Sequence, residues 1–321
     1  MKALIRRRIR FGAGLVDWML AGFLLLILPG CSPSGGEERT VVVYCAQDQI
    51  VAEPILAEFT KQTQIAVKAL YDSEATKTVG LANRLLAEKE RPRCDLFWGN
   101  EELRVRQLGA RGIWRETNGW VAFGQRSRCL VRNSKLLSEA EAPHSLVELT
   151  NRQWSGKVSV AYPMFGTTST HFLALRQAWG DAAWREWMTG LAKNHPFIEE
   201  GNSWVVQRLG RGEALVGITD TDDALAAQRE GLPIAIIETH QAMLAIPNTL
   251  GWVKGGPHEK EADALAIYLQ SPTVVARLVE TGALQAGNIL PVGSGWLKPD
   301  WDALVRDLDA SSAELQRIFA R

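Results

Sequence analysis

The chain has 321 residues and carries 36 basic and 36 acidic residues, so its formal net charge is zero. This balance argues against the broad basic surface of a nucleic-acid-binding protein, and we expect no nucleic-acid partner. About 280 residues remain when the first 40 are excluded. This length exceeds what one small hydrophobic core requires and indicates two lobes.

The first 30 residues have the pattern of an export signal. Four arginines within residues 6–10 precede an apolar stretch that ends in "LPGC". The apolar stretch is shorter than the ~20 residues that span a bilayer, which argues against an ordinary transmembrane anchor. A small-residue cleavage site followed by Cys resembles the lipobox of bacterial lipoproteins. We therefore predict a signal peptide over 1–30, a lipid on Cys31, a flexible tether over 31–39 and a position at the periplasmic side of the membrane.

The rest of the chain alternates short β-branched runs with segments of helical periodicity, as α/β proteins do. The first half predicts, in chain order, strand 40–46, helix 52–63, strand 64–71, helix 78–90, strand 94–100, helix 102–112 and a long strand 121–133. The second half predicts strand 156–163, helices 168–179 and 182–192, strands 213–220 and 234–238, a long strand 242–255, a helical segment 261–282 and a terminal helix within 295–320.

Two βα series joined by two long strands predict two lobes linked by a hinge, an arrangement that closes on a ligand by rotation. We expect the first lobe to consist of 40–125 with 242–292. The second lobe is then 126–241 with 293–321. No short internal repeat interrupts this organisation.

Polar residues follow the predicted strands. In an open α/β sheet the ligand crevice lies beyond the carboxyl ends of the strands, so these residues are the candidates for a binding site. In the first lobe they are Gln47, Asp48, Ser73, Glu74, Thr76, Asn100 and Glu101. In the second lobe they are Gly166, Thr167, Thr168, Asn202, Trp204, Thr221 and Asp222, of which Asn202 and Trp204 belong to "EEGNSWVV" (199–206), interpreted as a further strand end.

The segment "GTTST" (166–170) lies between a strand and a helix. Free amides of the first helical turn and several hydroxyls would then point at one spot, which favours an anion. The simpler alternative is that one hydroxyl only caps the helix, which stabilises it by about 1 kcal/mol.

The segment "TDTDD" (219–223) is the most acidic of the strand ends. It lacks the glycine and the glutamate of an EF-hand loop. It could be a solvated start of the following helix, where negative charge is favourable. Alternatively, one or two of its carboxylates face the cleft and meet a metal ion, an ammonium group or sugar hydroxyls, with Asp222 as the first choice.

Several aromatic and basic residues near these loops have two interpretations each. Trp98, Trp120 and Trp204 could cover a ligand or simply pack, and with 12 tryptophans in the chain most must pack. Arg126 and Arg128 on the long strand could reach an anion across the cleft or form an interlobe ion pair.

The three cysteines after Cys31 each lie in an apolar strand-like run. They are Cys45, Cys94 and Cys129. We expect them to act as small buried hydrophobic residues, although a disulfide between Cys45 and Cys94 could form instead. Neither CxxC nor a zinc-type Cys/His spacing occurs in the sequence.

These motifs together resemble the periplasmic solute-binding proteins of ABC importers, in the branch that contains ferric-ion-binding proteins. The resemblance runs from "VVVYCAQDQI" and "CDLFWGNEE" through "FGQRSRCLVRN", "GKVSVAYPMFGTTSTHF" and "LVGITDTDDALAAQREG" to "IPNTLGWVKGG". It implies an α/β, two-lobed periplasmic-binding-protein fold of type II, with two strands crossing the hinge. It also implies that a captured solute is passed to an ABC permease of the inner membrane.

The expected metal site departs from the pattern of typical ferric binders. Those proteins place a His after the first strand, a Glu after the third, and adjacent tyrosines after the strand that precedes "LAAQREG". The matching positions here are Asp48, Asn100 with Glu101 beside it, and Thr221-Asp222. The resemblance therefore implies oxygen donors, namely Asp48, Glu101 and Asp222, for a metal ion.

The anion-holding part of the family site matches Gly166, Thr167, Thr168 and Asn202. The resemblance predicts a binding lipoprotein that does no chemistry and whose cargo is Fe(III) or another metal ion, held with a synergistic anion. The cargo could instead be an organic phosphate or phosphonate whose far end is an amine or a polyol. Outside this class, the chain could be an exported metal-dependent hydrolase that uses "DTDD", which lacks nearby histidines, or a sensory module that docks to a membrane receptor.

Overall fold

The computed structural model describes residues 39–72, 77–116, 119–239, 241–287 and 295–319. The predicted signal peptide, Cys31 and nearly all of the tether lie outside the described residues, as do the candidates Ser73, Glu74 and Thr76. Among the helices that are described, none has both the length and the hydropathy needed to cross a bilayer.

The first half of the chain alternates strands and helices as its periodicity predicts. Its elements are β1 (Thr40–Cys45), α1 (Gln49–Thr63), β2 (Ala66–Leu70), α2 (Lys77–Ala87), β3 (Leu96–Gly99), α3 (Glu102–Ala110) and the long β4 (Trp120–Asn133). Helix α1 shows why the periodicity predicts the elements. Its residues Ile55, Leu56 and Phe59 recur at helical spacing and are all buried. It ends at Gln64, whose backbone is left-handed with φ 57°.

The second half contains two elements that periodicity did not predict, the short strand β6 and helix α6. Its elements are β5 (Val158–Ala161), α4 (Gly166–Trp179), α5 (Asp181–Lys193), β6 (Phe197–Glu199), α6 (Asn202–Gly210), β7 (Val216–Asp220), α7 (Thr221–Arg229), β8 (Ile234–Ile237), β9 (Ala245–Trp252), α8 (Glu259–Leu269), α9 (Pro272–Glu280) and α10 (Trp301–Phe319).

The segment expected to be helical over 261–282 is helical, and it consists of two helices, α8 and α9. Ser271 ends the run, and its side chain accepts a hydrogen bond from the N–H of Val274. Pro272 occupies the first turn of α9, where a missing N–H costs nothing.

The strands form one sheet with the order β2-β1-β3-β9-β4-β7-β5-β6, and β8 also pairs with β4. Strand β1 is parallel to β2 and β3, whereas β9 runs antiparallel to both β3 and β4. The first part of β4 pairs with β9, and its last part pairs with β7 and β8. We call the half with β1–β3 and β9 the first lobe and the half with β5–β8 the second lobe.

Strand β4 changes partners close to an irregularity at Gly124. The register of the β4–β9 pair shifts between Phe123 and Gln125. Gly124 has φ +58°, and a Cβ atom there would lie 2.4 Å from a methyl carbon of Leu284. Both the backbone conformation and the close approach require glycine, and the resulting bulge bends β4 between the lobes.

Each lobe has its own hydrophobic core. In the first lobe Phe59 and Trp98 belong to one buried cluster, and Trp114 belongs to a second. In the second lobe Phe172 and Trp184 lie in the main cluster. This main cluster also receives Leu103 from α3, which joins Leu304 and Leu308 of α10.

Cys45, Cys94 and Cys129 are buried thiols, as expected for small hydrophobic residues. The disulfide considered between Cys45 and Cys94 is not formed. The Cys94 thiol lies 3.1 Å from the carbonyl oxygen of Leu96. Burial raises the pKa of Cys94, so this group stays protonated and unreactive.

Candidate functional site

A cleft opens beyond the carboxyl ends of the strands, where the polar loops of both lobes face each other. Its volume is about 600 Å³ when the part open to solvent is included. The lining residues are Gln47, Asp48, Thr78, Asn100, Arg126, Ala161, Tyr162, Phe165, Gly166, Thr167, Thr168, Glu200, Gly201, Asn202, Asp220, Asp222 and Asp223.

Most of the candidates that the structure describes come together in this cleft. From the first lobe these are Gln47, Asp48 and Asn100, and from the second they are Gly166, Thr167, Thr168, Asn202 and Asp222. Asn100 is held in place by Thr78, whose hydroxyl donates a hydrogen bond to the amide oxygen over 2.7 Å. The rule that ligands bind beyond the strand ends therefore selected loops that line this cleft.

Glu101 is not brought into the cleft. Its carboxylate accepts hydrogen bonds from the N–H groups of Leu103 at 2.8 Å and Arg104 at 3.1 Å, so it caps α3. Burial raises the pKa of the Glu101 carboxyl, although the charge of Arg104 acts in the opposite direction. The expected role of Glu101 as a metal donor is corrected, because its carboxylate is used inside the protein.

Two further candidates, among the residues described, also lie off the lining. The hydroxyl of Thr221 accepts a hydrogen bond from the N–H of Ser127 at 3.1 Å. Trp204 lies on α6 with 46% of its surface exposed. Trp98 is fully buried and packs against Phe123, so it covers no ligand.

Arg128 and Asp220 form the centre of a buried polar network. An Nη1–Oδ1 distance of 2.6 Å joins them, and the second oxygen of Asp220 accepts from Thr167 at 2.8 Å and from Asn202 at 3.2 Å. Arg128 also donates to the hydroxyls of Thr167 and Thr168, both at 3.2 Å, and to Asn202 at 3.0 Å. The network ties the first turns of α4 and α6 to the end of β7.

The network changes the interpretation of the hydroxyls in "GTTST". Thr167 and Thr168 are buried, and their hydroxyls bond to Arg128. Phe165 occupies the position before α4 and makes no side-chain capping bond. A threonine cap for α4 is therefore not what the structure shows. What the first turn of α4 offers a ligand is its backbone.

Arg126 lies between the network and the cleft. Its Nη2 is 3.4 Å from an Asp220 oxygen, and its Nε is 3.1 Å from an Asp222 oxygen. Its Nη1 donates to the amide oxygen of Asn248 on β9 over 3.3 Å. Burial by itself lowers the pKa of Arg126, but the carboxylates of Asp222 and Asp220 outweigh it, and the net shift is upward. Both arginines are thus engaged in ion pairs.

Asp220 stays ionised despite its complete burial. Desolvation raises the pKa of a carboxyl, but the positive charges of Arg128 and Arg126 more than compensate, so the pKa of Asp220 is lowered. Asp220, Asp222 and Asp223 each offer an oxygen atom, and these atoms lie within 4.8 Å of one another.

The position of "TDTDD" agrees with a helix start and also places its carboxylates at the cleft. Asp222 and Asp223 lie in the first turn of α7, where the helix dipole favours negative charge. They also line the cleft. Together with Asp48, Glu200 and Asp220 they give the described lining five carboxylates against the single guanidinium of Arg126. Such a cleft attracts cations.

Three helices of the second lobe begin at the lining. They are α4 at Gly166, α6 at Asn202 and α7 at Thr221, whose neighbours Asp220 and Asp222 are the lining residues there. Gly166 has φ +55°, a conformation that glycine adopts without strain. Because N–H groups at a helix start carry partial positive charge, this side of the cleft also suits a small anion.

Tyr162 is a lining residue that the sequence-based prediction missed. It directly follows β5, and its ring packs against Phe165 with ring centres 5.5 Å apart. The predicted strand 156–163 contained Tyr162, whereas β5 ends at Ala161, so the rule of residues after strands passed over it. It adds a phenol to the oxygen donors around the cleft.

The fold and the cleft define a class of protein: two α/β lobes, joined by crossing strands, that enclose a small ligand. Residues 41–283 match the family described as bacterial extracellular solute-binding protein. The match covers well over half of the chain, and the protein belongs to this family.

Two relatives illustrate what the sequence is similar to. The major ferric iron-binding protein of Neisseria meningitidis serogroup A is 26% identical over 192 residues, which are 54% of this chain and 56% of that protein. The Fe(3+)-binding periplasmic protein of Serratia marcescens is 25% identical over 217 residues, 62% of each chain. The matched region thus spans between half and two thirds of these relatives.

Solved structures share the fold. Iron-bound HitA from Pseudomonas aeruginosa aligns with a TM-score of 0.72 and 19% identity, over 88% of this chain and 99% of HitA. AfuA from Actinobacillus pleuropneumoniae, with fructose-6-phosphate bound, aligns with a TM-score of 0.74 and 15% identity, over 87% of this chain and 98% of AfuA. The two neighbours carry different ligands on one fold, so the ligand must be argued from the site.

Proposed function

We propose that this protein is the substrate-binding lipoprotein of an ABC importer and that it captures a hard metal cation, with Fe(III) as the leading cargo. The observation that carries the proposal is the charge of the cleft. Five carboxylates and one guanidinium line it among the residues described. Oxygen donors of this kind suit hard cations.

The donors come from both lobes. Asp48 belongs to the first lobe, whereas Asp222, Asp223 and Tyr162 belong to the second. A cation that bridges the two sets would hold the lobes closed, which is how a hinged binding protein retains its cargo. The starts of α4 and α6, at Gly166 and Asn202, offer room for the synergistic anion beside the metal.

An organic phosphate is the second candidate, because the same helix starts favour an anion and because AfuA carries a sugar phosphate. The charge of the lining disfavours it. The guanidinium of Arg126 is already paired with Asp220 and Asp222. A phosphate dianion would also meet Asp48, Asp223 and Glu200, which repel it.

We infer that the site binds without chemistry. The part of the lining that the structure describes contains neither histidine nor cysteine, the usual bases and nucleophiles of hydrolases. The relatives are named as binding proteins. The permease partner, the lipid on Cys31 and the lobe boundaries at 125/126, 241/242 and 292/293 belong to the same proposal.

Thermal unfolding of the purified full-length protein in detergent tests the cargo. Fe(III)-citrate at 100 times its dissociation constant should add about 2.7 kcal/mol of stability, whereas phosphate and fructose-6-phosphate should add none. Asp222→Asn should weaken Fe(III) binding at least tenfold (about 1.4 kcal/mol) because it removes a charged donor.

Asp307→Asn, an exposed carboxylate on α10, is the matched control and should bind like the wild type. A stability increase with fructose-6-phosphate but none with Fe(III)-citrate would show that the cargo is an organic phosphate and that the metal proposal is wrong.

A further inference from the structure

The guanidinium of Arg126 lies among the carboxylates of the cleft. The Arg126 side chain is 3% exposed, and it pairs with Asp220 at 3.4 Å and with Asp222 at 3.1 Å. Arg128 sits deeper and is fully enclosed by the network around Asp220, so it is not a lining residue. Among the residues described, Arg126 is therefore the permanent positive charge at the cleft wall.

The electrostatic surroundings of Arg126 come from both lobes. Four carboxylates raise its pKa, in the order Asp222, Asp220, Asp223 and Asp48. Asp48 follows β1 of the first lobe, whereas the remaining three surround the start of α7 in the second. Arg126 thus occupies the region where the negative charges of the two lobes meet.

The contacts of Arg126 extend into the first lobe. Its Nη1 donates to Asn248 over 3.3 Å, and the amide nitrogen of Asn248 donates in turn to Gln47 over 3.4 Å. Both Gln47 and Arg126 line the cleft. Hydrogen bonds through Asn248 therefore connect the guanidinium to Gln47 on the first-lobe wall.

A metal ion in this cleft would share Asp222 with Arg126. Arginine stays protonated at any pH at which the protein is folded, so the guanidinium cannot become neutral to make way for the ion. The two positive charges repel each other, and the burial of the Arg126 side chain weakens the screening of this repulsion by water. Binding of a cation thus has to overcome the ion pair that is already present.

We propose that Arg126 is a resident counter-cation that sets the affinity of the cleft for metal ions. It neutralises Asp220 and Asp222 while no ligand is bound, and it weakens the binding of every hard cation that approaches Asp222. The inference rests on the proposed function to the extent that it concerns the same cleft, but it holds for any hard cation and not only for Fe(III).

Arg126 could instead hold an anion, and the two roles predict opposite changes in ligand affinity when Arg126 is removed. If the guanidinium holds an anion of the ligand, its removal must weaken binding. If it competes with the ligand cation, its removal must strengthen binding. The sign of the change in affinity therefore decides between the two roles.

The affinity for Tb(III), a trivalent ion that prefers oxygen ligands, can be measured by Tb(III) luminescence on the full-length protein in detergent. Comparing this affinity between variants gives the sign of the change. Arg126→Gln should bind Tb(III) at least tenfold more tightly than the wild type, a change of about 1.4 kcal/mol. The affinity of Arg126→Lys for Tb(III) should lie between those of the wild type and Arg126→Gln. The lysine keeps the positive charge, but its ammonium group cannot pair with two carboxylates at once as a guanidinium does.

Arg115→Gln is the matched control. Arg115 pairs with Asp263 at 2.9 Å and with Glu259 at 4.0 Å on the first lobe, outside the cleft lining. Arg115→Gln removes one positive charge, as Arg126→Gln does, but leaves the cleft lining unchanged. The variant should therefore bind Tb(III) with the same affinity as the wild type. Circular dichroism verifies that each variant is folded.

The proposal is overturned if Arg126→Gln binds Tb(III) with equal or lower affinity than the wild type, or if no variant binds Tb(III). Should Arg126→Gln not fold, Arg126→Lys decides, and an affinity at or below that of the wild type overturns the proposal. Failure of Fe(III)-citrate to stabilise the wild type, together with tighter Tb(III) binding by Arg126→Gln, would refute the iron cargo and support the role of Arg126.

Discussion

His171 shows how the buried network constrains a single residue. It lies one helical turn after Thr167, is fully buried, and its Nε2 is 2.7 Å from the carbonyl oxygen of Ala242. Burial lowers the pKa of His171 to about 3, and the charge of Arg128 adds to the effect. The ring is therefore neutral in the folded protein, with a proton on Nε2 that it donates to Ala242.

The lowered pKa predicts a pH dependence of stability. The unfolded chain takes up a proton on His171 below pH 6.5, whereas the folded protein does so only near pH 3. This group should thus lower the free energy of unfolding by about 1.4 kcal/mol per pH unit as the pH falls through that window. In His171→Gln the amide keeps a donor for Ala242 but does not titrate, so urea unfolding between pH 6.5 and 4 should show a flatter curve.

His144→Gln, at an exposed position, should keep the wild-type slope. An identical slope in His171→Gln and in the wild type would contradict the assignment.

For individual residues, the sequence predicted which loops lie at the cleft but not which way each side chain points. The rule of strand ends located Asp48, Asn100 and Asp222 at the cleft, because the carboxyl ends of parallel strands meet at one edge. It could not tell that Glu101, the neighbour of Asn100, turns inward to cap α3. A loop position follows from the pattern of the chain, but the direction of a side chain depends on partners far away in sequence.

Helix α10 connects elements of both lobes. It packs against α3 of the first lobe and against α4 and α5 of the second. Leu103 of α3 is buried in the second-lobe core beside Leu304 of α10, and Arg106 of α3 lies over the ring of Trp301 at 5.7 Å. Towards α4, Glu314 pairs with Arg176 at 3.0 Å. The lobes are therefore joined by helix packing as well as by the long strands.

This packing predicts a local effect of Leu103→Ala. The cavity should cost about 2 to 5 kcal/mol of stability, and it should loosen α10. Hydrogen exchange followed by mass spectrometry should show faster exchange in Trp301–Phe319.

Leu108→Ala removes an equally buried leucine from the separate core of the first lobe and should leave exchange in α10 unchanged. Equal acceleration of α10 in both variants would show that Leu103 does not hold it.

Element types were the most predictable level, and connections between elements were the least. Periodicity identified α1 closely because one face of this helix is buried, and a continuous apolar run identified β1, which is buried on both faces. Periodicity recognised 261–282 as helical without placing the break at Ser271. The pattern also could not reveal that β9 lies between β3 and β4, because strand order depends on contacts between distant segments.

At the scale of the whole molecule, the predicted tether limits how far the start of β1 can lie from the membrane. Strand β1 begins at Thr40, and the nine residues from 31 to 39 span at most about 30 Å when fully extended. A lipid on Cys31 would therefore keep the binding protein close to the permease that we propose as its partner.

The anchor is tested by labelled palmitate. The full-length protein expressed in a bacterium should incorporate the label, and Cys31→Ala should incorporate none. Cys45→Ala alters a buried thiol and should be labelled like the wild type. Label in Cys31→Ala would refute the assignment of the lipidated residue.

The position of β9 sets an order of events during folding. Strands β1, β2 and β3 are complete by residue 99, but β3 and the first part of β4 pair with β9, which ends at Trp252. A chain that emerges from its amino terminus therefore leaves the edge of β3 unpaired for about 150 residues, and the edge of β4 for about 120 residues, until β9 has followed. The first lobe therefore stays incomplete until the whole of the second-lobe sheet has followed, and we expect its unpaired edges to be prone to aggregation while the chain is unfolded.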